Sequence, residues 1–314
     1  MKSQNILPLV AVIATGGTIA SKKSEDGSSK PSLTGENLLS VLPDMQARLK
    51  PVELMAKDSS SLTLADMQDI SDEVGRQLRD PDIAGVVILH GTDAMEETAL
   101  LVHLQHKLNK PVILTGAQFT ADHPDADGPA NLAAAIALAV DPANAKHGVL
   151  LGFGGSVLSA WGLYKYSADK ADAFRLARPD ICPLLDTFEK SVSNIRVDIA
   201  AIYPGCHATH LDASLIAGVD GIVLAALGSG NANPEVVQAV KRCSDTGIPV
   251  VVSSRVPTGL LVPGYGGGGG GYDMGAAGAV HSKTLRPGQA RVLLAVLVAN
   301  GVTAEVIANY FGDL

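Results

Sequence analysis

An apolar run, Leu9-Val-Ala-Val-Ile-Ala14, ends in Thr15-Gly-Gly-Thr18 near the start of the chain. The run shows no alternation of apolar and polar residues, which is typical of a parallel strand covered on both faces. Open α/β sheets bind ligands at the carboxyl ends of such strands, and glycine there lets backbone N–H groups approach a ligand closely. The stretch therefore predicts a buried first strand that leads into a ligand site.

Similar short runs, rich in Val, Ile and Leu, alternate with longer helical patterns along the rest of the chain. Thr63-Leu-Ala-Asp66 has the form of a helix capping box, and Pro129, Pro234 and Pro287 each suit the first turn of a helix. The alternation of strands and helices predicts an α/β architecture. The further strands are predicted at residues 85–90, 112–115, 149–153, 199–203, 221–225 and 250–253.

The length of 314 residues exceeds the usual size of one hydrophobic core and favours two domains. The periodic pattern fails between Pro183 and Ser193, and strand signals then resume. We therefore predict a larger N-terminal catalytic α/β domain with a mostly parallel sheet at 1–188. A linker at 189–198 and a smaller C-terminal α/β domain at 199–314 complete the predicted organisation.

Composition excludes several classes of function. Hydrophobic residues make up 46% of the chain and charged residues 18%, so a large core can form. The formal net charge is −8 and no basic run is longer than Lys22-Lys23, which argues against nucleic acid as a partner. Cys182, Cys206 and Cys243 are far apart and form no CxxC pair, so neither a disulfide framework nor a metal site is predicted.

The first apolar run is too short to span a membrane, and no small-residue cleavage site follows it. The glycine-rich segments match neither GxGxxG nor GxxxxGK[ST], which argues against a nucleotide cofactor. We expect a cytoplasmic protein with reduced thiols that needs no cofactor and binds no membrane.

Two further polar segments follow predicted strands, His90-Gly-Thr92-Asp93 and Thr115-Gly-Ala117-Gln118. Thr18 and Thr92 each place a hydroxyl beside glycine, and a hydroxyl becomes a good nucleophile only when a base or cation activates it. Asp93 is adjacent to Thr92, yet either residue could instead cap the helix that follows. The residues alone leave a threonine-rich site and a simple helix cap both open.

The segments taken together resemble the two signatures of the bacterial L-asparaginase/glutaminase family. The first is Ala14-Thr-Gly-Gly-Thr-Ile-Ala20 and the second is Ile88-Leu-His-Gly-Thr-Asp-Ala-Met-Glu-Glu-Thr98. The resemblance continues through residues 115–118, 127–131, 202–205 and 253–259, and so covers nearly the whole chain. It implies a two-domain α/β fold, hydrolysis of L-asparagine to L-aspartate and ammonia, and assembly into a homotetramer or dimer.

The resemblance also assigns catalytic roles. Thr18 matches the nucleophile that forms an acyl-enzyme, and Thr92 and Asp93 match the second catalytic threonine with its neighbouring acid. Lys165 is the expected partner of this pair, because Asp172-Ala-Phe174 follows it at the spacing seen in cytosolic members. The alternatives for the lysine are Lys170 and Arg175.

Substrate contacts are implied in the same way. Ser59 matches the serine that holds the substrate α-carboxylate, and Ser60 stands beside it where many members have Gln. Asp93, next to Thr92, is expected to hold the α-ammonium. The backbone N–H of Ala117 matches part of the oxyanion hole.

Departures from the family pattern keep other functions open. Residues 21–32 fit a lid or a plain loop but contain no tyrosine, and Ser28 falls nearest the place of the usual lid tyrosine. Ser229 replaces an Asn, and the glycine run in 264–275 replaces a segment that carries a glutamate for the neighbouring subunit. The alternatives are a non-catalytic amino-acid sensor and the amidase subunit of a transfer-RNA-dependent amidotransferase.

Overall fold

The structure is a computed structural model that describes residues 7–23, 29–31, 34–40, 42–43, 45–181, 183 and 186–312. The chain divides into two units, of which the first comprises Met1–Ala160 with Lys165–Arg175. The second comprises Trp161–Tyr164 with Leu176–Leu314. The segment 189–198, predicted as a linker, lies within the second unit, and as a domain boundary it remains a prediction.

The first unit is built on a sheet of six strands. In chain order its elements are β1 (Leu9–Gly16), β2 (Ser21–Lys23), β3 (Ser29–Pro31), α1 (Gly35–Ser40), β4 (Arg48–Lys57), α2 (Leu64–Arg79), β5 (Ile83–Leu89), α3 (Met95–Gln105), β6 (Val112–Thr115), α4 (Gly128–Val140), β7 (Val149–Phe153) and β8 (Ser156–Ser159). The strand order is β4-β1-β5-β6-β7-β8, and every neighbouring pair is parallel except β7 with β8. The carboxyl ends of β1, β4, β5 and β6 therefore meet at one edge.

Burial explains why β1 occupies an inner position of this sheet. Val10, Val12 and Ile13 are completely buried, and Val10 and Val12 belong to a core that includes Ile136 of α4.

The predicted capping box at Thr63 is present at the start of α2, where Thr63 accepts from the backbone of Asp66. A cap of this kind stabilises a helix by about 1 kcal/mol.

The second unit repeats the architecture on a smaller scale. Its elements are β11 (Val197–Ala201), α5 (Thr209–Ile216), β12 (Gly221–Ala226), α6 (Pro234–Asp245), β13 (Val250–Ser254), α7 (Gly271–Ala276), β14 (Val280–His281), α8 (Pro287–Ala299) and α9 (Ala304–Gly312). The four strands are parallel in the order β11-β12-β13-β14. Between β8 and β11 the chain forms a small two-stranded sheet of β9 (Leu163–Lys165) and β10 (Phe174–Leu176).

The predicted fold class is confirmed, since a larger, mostly parallel α/β unit precedes a smaller parallel one. The strands at Val112–Thr115 and Val149–Phe153 begin and end where the sequence predicts. The prediction misses β4, a strand of ten residues. β4 lies at the edge of the sheet, so its charged residues remain at least partly exposed and interrupt the apolar pattern.

The described parts of the two segments with loop-like sequences form regular contacts. Ser21–Lys23 pairs with Ser29–Pro31 in antiparallel fashion, while residues 24–28, and with them Ser28, lie outside the described part. In the glycine run, Asp273 accepts hydrogen bonds from the N–H groups of Gly268 and Gly270, at 2.8 and 2.9 Å. This segment therefore has a defined backbone path, and a lid role for residues 21–32 stays a prediction.

Two observations concern cysteines and membranes. Cys206 and Cys243 are free and buried, and Cys182 lies outside the described residues. Among the helices of the described residues, none combines the length and apolar character needed to cross a bilayer.

Candidate active site

A polar cavity of about 320 Å³ opens at the carboxyl ends of β1, β4 and β5. Its lining residues are Gly17, Thr18, Asp58, Ser59, Ser60, Gly91, Thr92, Asp93, Gln118 and Lys165. All belong to the first unit. Six of the seven residues predicted for catalysis and substrate binding therefore line one cavity. The seventh, Ala117, is buried beside the lining residue Gln118.

Close backbone contact holds the Thr15-Gly-Gly-Thr18 segment against the second signature. Gly17 has φ +84°, and a Cβ on it would lie 2.5 Å from the Cα of Gly91. A Cβ on Gly91 would in turn lie 2.4 Å from Ser59 Oγ. Only glycine fits both positions, which brings the ends of three strands together. Thr18 follows directly in a short 3-10 turn, Thr18–Ala20, with its side chain partly exposed to the cavity.

The turn after β5 presents Thr92 and Asp93 and is held by a buried histidine. His90 Nδ1 donates to the Gly91 carbonyl at 2.7 Å, so Nε2 is an acceptor for the Thr98 hydroxyl at 2.9 Å. Burial lowers the pKa of His90 to about 4, against a smaller opposing effect of the Gly91 carbonyl. The imidazole is therefore neutral at pH 7, and its two hydrogen bonds link the turn to Thr98 of α3.

Lys165 reaches Thr92 and Asp93 from β9. Its Nζ donates to Thr92 Oγ1 at 2.7 Å and to Asp93 Oδ1 at 2.9 Å. The two other candidates for this lysine position make different contacts: Lys170 lies over the Tyr166 ring, and Arg175 bonds Asp172 and Tyr166. The geometry thus brings Lys165 to Thr92, as the resemblance implies.

The end of β4 supplies Asp58, Ser59 and Ser60 to the cavity. The Asp93 backbone N–H donates to Ser59 Oγ at 3.1 Å, which leaves the hydroxyl hydrogen of Ser59 for a substrate carboxylate. Asp58 adds a second carboxylate to the lining beside Asp93. Only Asp93 was predicted from the sequence as the anionic partner of the substrate ammonium. Asp58 follows β4, which was not predicted.

The turn after β6 is fixed by two residues of the Asp127-Gly-Pro-Ala-Asn131 motif. Asp127 accepts from the N–H groups of Gln118 and Phe119 at 3.0 Å, and Asn131 Nδ2 donates to Gly116 O at 3.0 Å. The Gln118 side chain donates to the Ala168 carbonyl at 2.6 Å. The motif therefore positions the peptide at Ala117, the predicted oxyanion donor, and Gln118 joins the lining without having been predicted there.

Glu96 completes the surroundings of Lys165. Its carboxylate accepts a hydrogen bond from the Lys165 backbone N–H at 3.1 Å. Burial raises the pKa of Glu96 to about 8, with the charge of Glu97 as the second cause and the Lys165 N–H opposing. Sequence analysis gave Glu96 no role, since a Glu in the first turn of a helix ordinarily needs no other explanation.

Ser229 is not among the residues that line this cavity. It belongs to the second unit, where its hydroxyl donates to the Val262 carbonyl at 2.9 Å. Within the described residues, no group of His, Cys, Asp and Glu has the arrangement of a metal site. The lining residues of the cavity offer hydroxyl, carboxylate, amine and amide groups.

Comparison with known proteins identifies the family. Residues 9–198 match the family model Asparaginase, N-terminal, and residues 196–311 match Glutaminase/Asparaginase C-terminal domain. A Deinococcus radiodurans protein named "Probable L-asparaginase" is 34% identical over 325 residues, covering 97% of both chains. "Probable L-asparaginase periplasmic" of Haemophilus influenzae is 32% identical over 332 residues, covering 98% of this chain and 93% of its own.

A solved structure agrees with the sequence comparisons. The probable cytoplasmic L-asparaginase from Campylobacter jejuni matches with a TM-score of 0.84 at 28% identity, covering 97% of this chain and 99% of that one. The chain therefore belongs to the bacterial L-asparaginase family of amidohydrolases.

Proposed function

We propose that this chain is an L-asparaginase that cleaves the side-chain amide of L-asparagine with the Thr18 hydroxyl. The observation that carries the proposal is the contact of Lys165 Nζ with Thr92 Oγ1, 2.7 Å long, in the cavity that Thr18 also lines. Two hydroxyls and an amine in one cavity are what a two-step acyl transfer needs. Family membership supports asparagine as the substrate.

The first step transfers the aspartyl group to the enzyme. Thr18 Oγ attacks the amide carbon, its proton passes to the departing nitrogen, and ammonia leaves. Backbone N–H groups, with Ala117 among them, hold the oxyanion, and each such donor contributes about 3 kcal/mol to lowering the barrier. The Asp127 carboxylate prepares this turn, because it fixes the next two N–H groups of the chain.

The second step releases aspartate. A water molecule attacks the acyl-enzyme carbonyl, and its proton passes through Thr92 to Lys165. The bond between the aspartyl carbon and Thr18 Oγ then breaks, and the proton returns from Lys165 through Thr92 to Thr18 Oγ. The Lys165 amine also donates to Asp93 Oδ1 at 2.9 Å. Substrate binding releases the amine from this contact if the substrate ammonium takes over the Asp93 carboxylate, as we propose for that group.

The substrate is held by its two charged ends. Ser59 donates its hydroxyl hydrogen to the α-carboxylate, with Ser60 beside it. Asp93 and Asp58 are the carboxylates in the cavity that can face the α-ammonium. Hydrogen bonds to charged groups contribute roughly 1.5–3 kcal/mol each, so a zwitterionic amino acid suits this lining.

Ammonia release from L-asparagine tests the proposal directly. Purified protein incubated with 10 mM substrate, a value on the order of ten times a high enzyme KM, should produce ammonia and aspartate in equal amounts. A protein that binds asparagine in calorimetry but releases no ammonia would instead be an amino-acid sensor. We further propose a cytoplasmic location, supported by the likeness to the Campylobacter jejuni protein, which cell fractionation checks.

A further inference from the structure

Glu96 ties the main chain of Lys165 to the start of helix α3. Glu96 is the second residue of α3, and its partly buried carboxylate accepts the Lys165 N–H at 3.1 Å from a point 69 residues away in sequence. Lys165 is the last residue of the short strand β9. A strand of three residues contributes few hydrogen bonds of its own. Its end is fixed by this contact together with the Tyr166 N–H, which donates to the Ala173 carbonyl at 2.8 Å.

The residues just before α3 contact the amine of Lys165. Thr92 and Asp93, which precede α3 by two to three residues, accept hydrogen bonds from Lys165 Nζ at 2.7 and 2.9 Å. Residues 92–96 therefore contact Lys165 at its main chain and at its amine. Such a two-point attachment restricts the extended side chain of Lys165, which would otherwise sample many rotamers.

We propose that Glu96 is a positioning residue, which anchors the Lys165 main chain so that its amine meets the Thr92 hydroxyl. The proposal rests on the proposed function, in which Lys165 and Thr92 move the proton of the second step. Glu96 acts through Lys165 and has no contact with the substrate in this scheme.

The charge state of Glu96 fits this role. Burial and the charges of Glu97 and Asp93 raise the pKa of Glu96 to about 8, whereas the N–H and the charge of Lys165 act in the opposite direction. A mostly protonated carboxyl still accepts the Lys165 N–H through its second oxygen. In this neutral form the carboxyl adds little negative charge next to Lys165.

A purely structural role for Glu96 makes a different prediction. An ionised carboxylate in the first turn of a helix stabilises the helix through its dipole. In that case Gln at position 96 would lower stability and leave catalysis unchanged, and so would any other uncharged side chain. The anchoring role instead depends on an acceptor atom, which Gln keeps.

Two variants separate these roles. Glu96→Gln retains a carbonyl oxygen, and we expect kcat within about threefold of the parent. Glu96→Met has the same length without an acceptor, and we expect kcat to fall about 100-fold, the scale of a 1 Å misplacement, while KM changes less than threefold. Glu305→Met is the control, because Glu305 is an exposed carboxylate in the first turn of α9, and we expect it to keep kcat within about threefold.

Amide hydrogen exchange gives a second measurement that needs no activity. The Lys165 N–H should exchange at least tenfold faster in Glu96→Met than in the parent, and at the parental rate in Glu96→Gln. Equal exchange and equal kcat in both variants would overturn the inference, and Glu96→Ala serves if Glu96→Met does not fold. A parent that releases no ammonia would instead refute the proposed function, while the exchange comparison still decides the anchoring contact.

Discussion

The two threonines of the cavity occupy different surroundings, which suits two different roles. Thr92 accepts from Lys165 Nζ at 2.7 Å. Among the described residues, no side chain forms a hydrogen bond with the Thr18 hydroxyl, although Thr18 lines the same cavity. In the proposed reaction Thr18 is consumed in the acyl-enzyme, and Thr92 relays protons to Lys165.

We predict that Thr18→Ala and Thr92→Val each lower kcat at least about 1,000-fold without unfolding the protein. Each change removes one hydroxyl of a unit that acts together, so the double variant should be little worse than either single one. Ammonia release measures kcat, and circular dichroism checks the fold. An active Thr18→Ala protein would show that another residue is the nucleophile.

His90 should make stability depend on pH. Its pKa is lowered to about 4 in the folded chain from an ordinary 6.5, so the unfolded chain binds the proton first as pH falls. The stabilisation is complete above pH 6.5 and is lost between pH 6.5 and 4, amounting to about 3 kcal/mol.

The test compares urea midpoints at pH 7.5 and pH 5 for the parent and His90→Asn, which keeps a donor for the Gly91 carbonyl. The midpoint of the variant should fall less between the two pH values. His103, His106 and His281, whose pKa values burial also lowers, shift parent and variant alike. The exposed His210→Asn is the control and should show the parental pH dependence.

At the scale of elements, the site depends on close packing of strand ends rather than on any one strand. Gly17 and Gly91 touch where β1 and β5 end, and Ser59 after β4 touches Gly91. A side chain at either glycine would push the nucleophile segment away from Thr92. Glycine in this place therefore has a catalytic consequence as well as a conformational one.

We predict that Gly17→Ala destabilises the protein and lowers kcat at least about 100-fold, because Thr18 moves by about 1 Å. Gly155→Ala is the matched control, since Gly155 also has positive φ, +76°, but a Cβ there meets nothing within 4 Å. It should cost about 1–2 kcal/mol in stability and keep full kcat. Thermal unfolding and ammonia release measure the two quantities, and an active Gly17→Ala protein contradicts the packing argument.

Strands buried on both faces were predictable from sequence, and the edge strand was not. β6 and β7 lie inside the sheet and consist of continuous apolar runs. β4 exposes part of nearly every residue, and its lysines and glutamate hide the pattern. The same holds for the site residues. Thr18 and Thr92 come after buried strands and were predicted, whereas Asp58 comes after β4 and was not. The contact of Lys165 with Thr92 spans 73 residues, and local sequence patterns carry no such information.

At the scale of the whole molecule, the second unit exposes large apolar side chains around the glycine run. Val262, Tyr265 and Tyr272 are 57%, 68% and 68% exposed. Apolar side chains grouped in this way commonly mark a protein interface. We therefore predict, as the family resemblance also implies, that the chain assembles with copies of itself.

Light scattering should report a dimer or tetramer. Val262→Asp introduces a charge into the exposed apolar segment and should shift the population toward smaller species. Ile216→Asp, at a site 87% exposed on α5, is the control and should leave assembly unchanged. A monomeric parent with full ammonia release would refute the prediction.

The path of the chain limits how relatives can exchange parts by recombination. Trp161–Tyr164 belongs to the second unit. The next segment, Lys165–Arg175, belongs to the first unit again, and all later residues belong to the second. A single crossover between residues 97 and 164 takes Lys165 from one parent and Thr92 from the other. A crossover after residue 175 instead passes on the whole proposed catalytic set from one ancestor. A gene junction placed after Thr18 must therefore lie beyond Lys165, past the sixth strand of the first sheet, to pass on the site as a block.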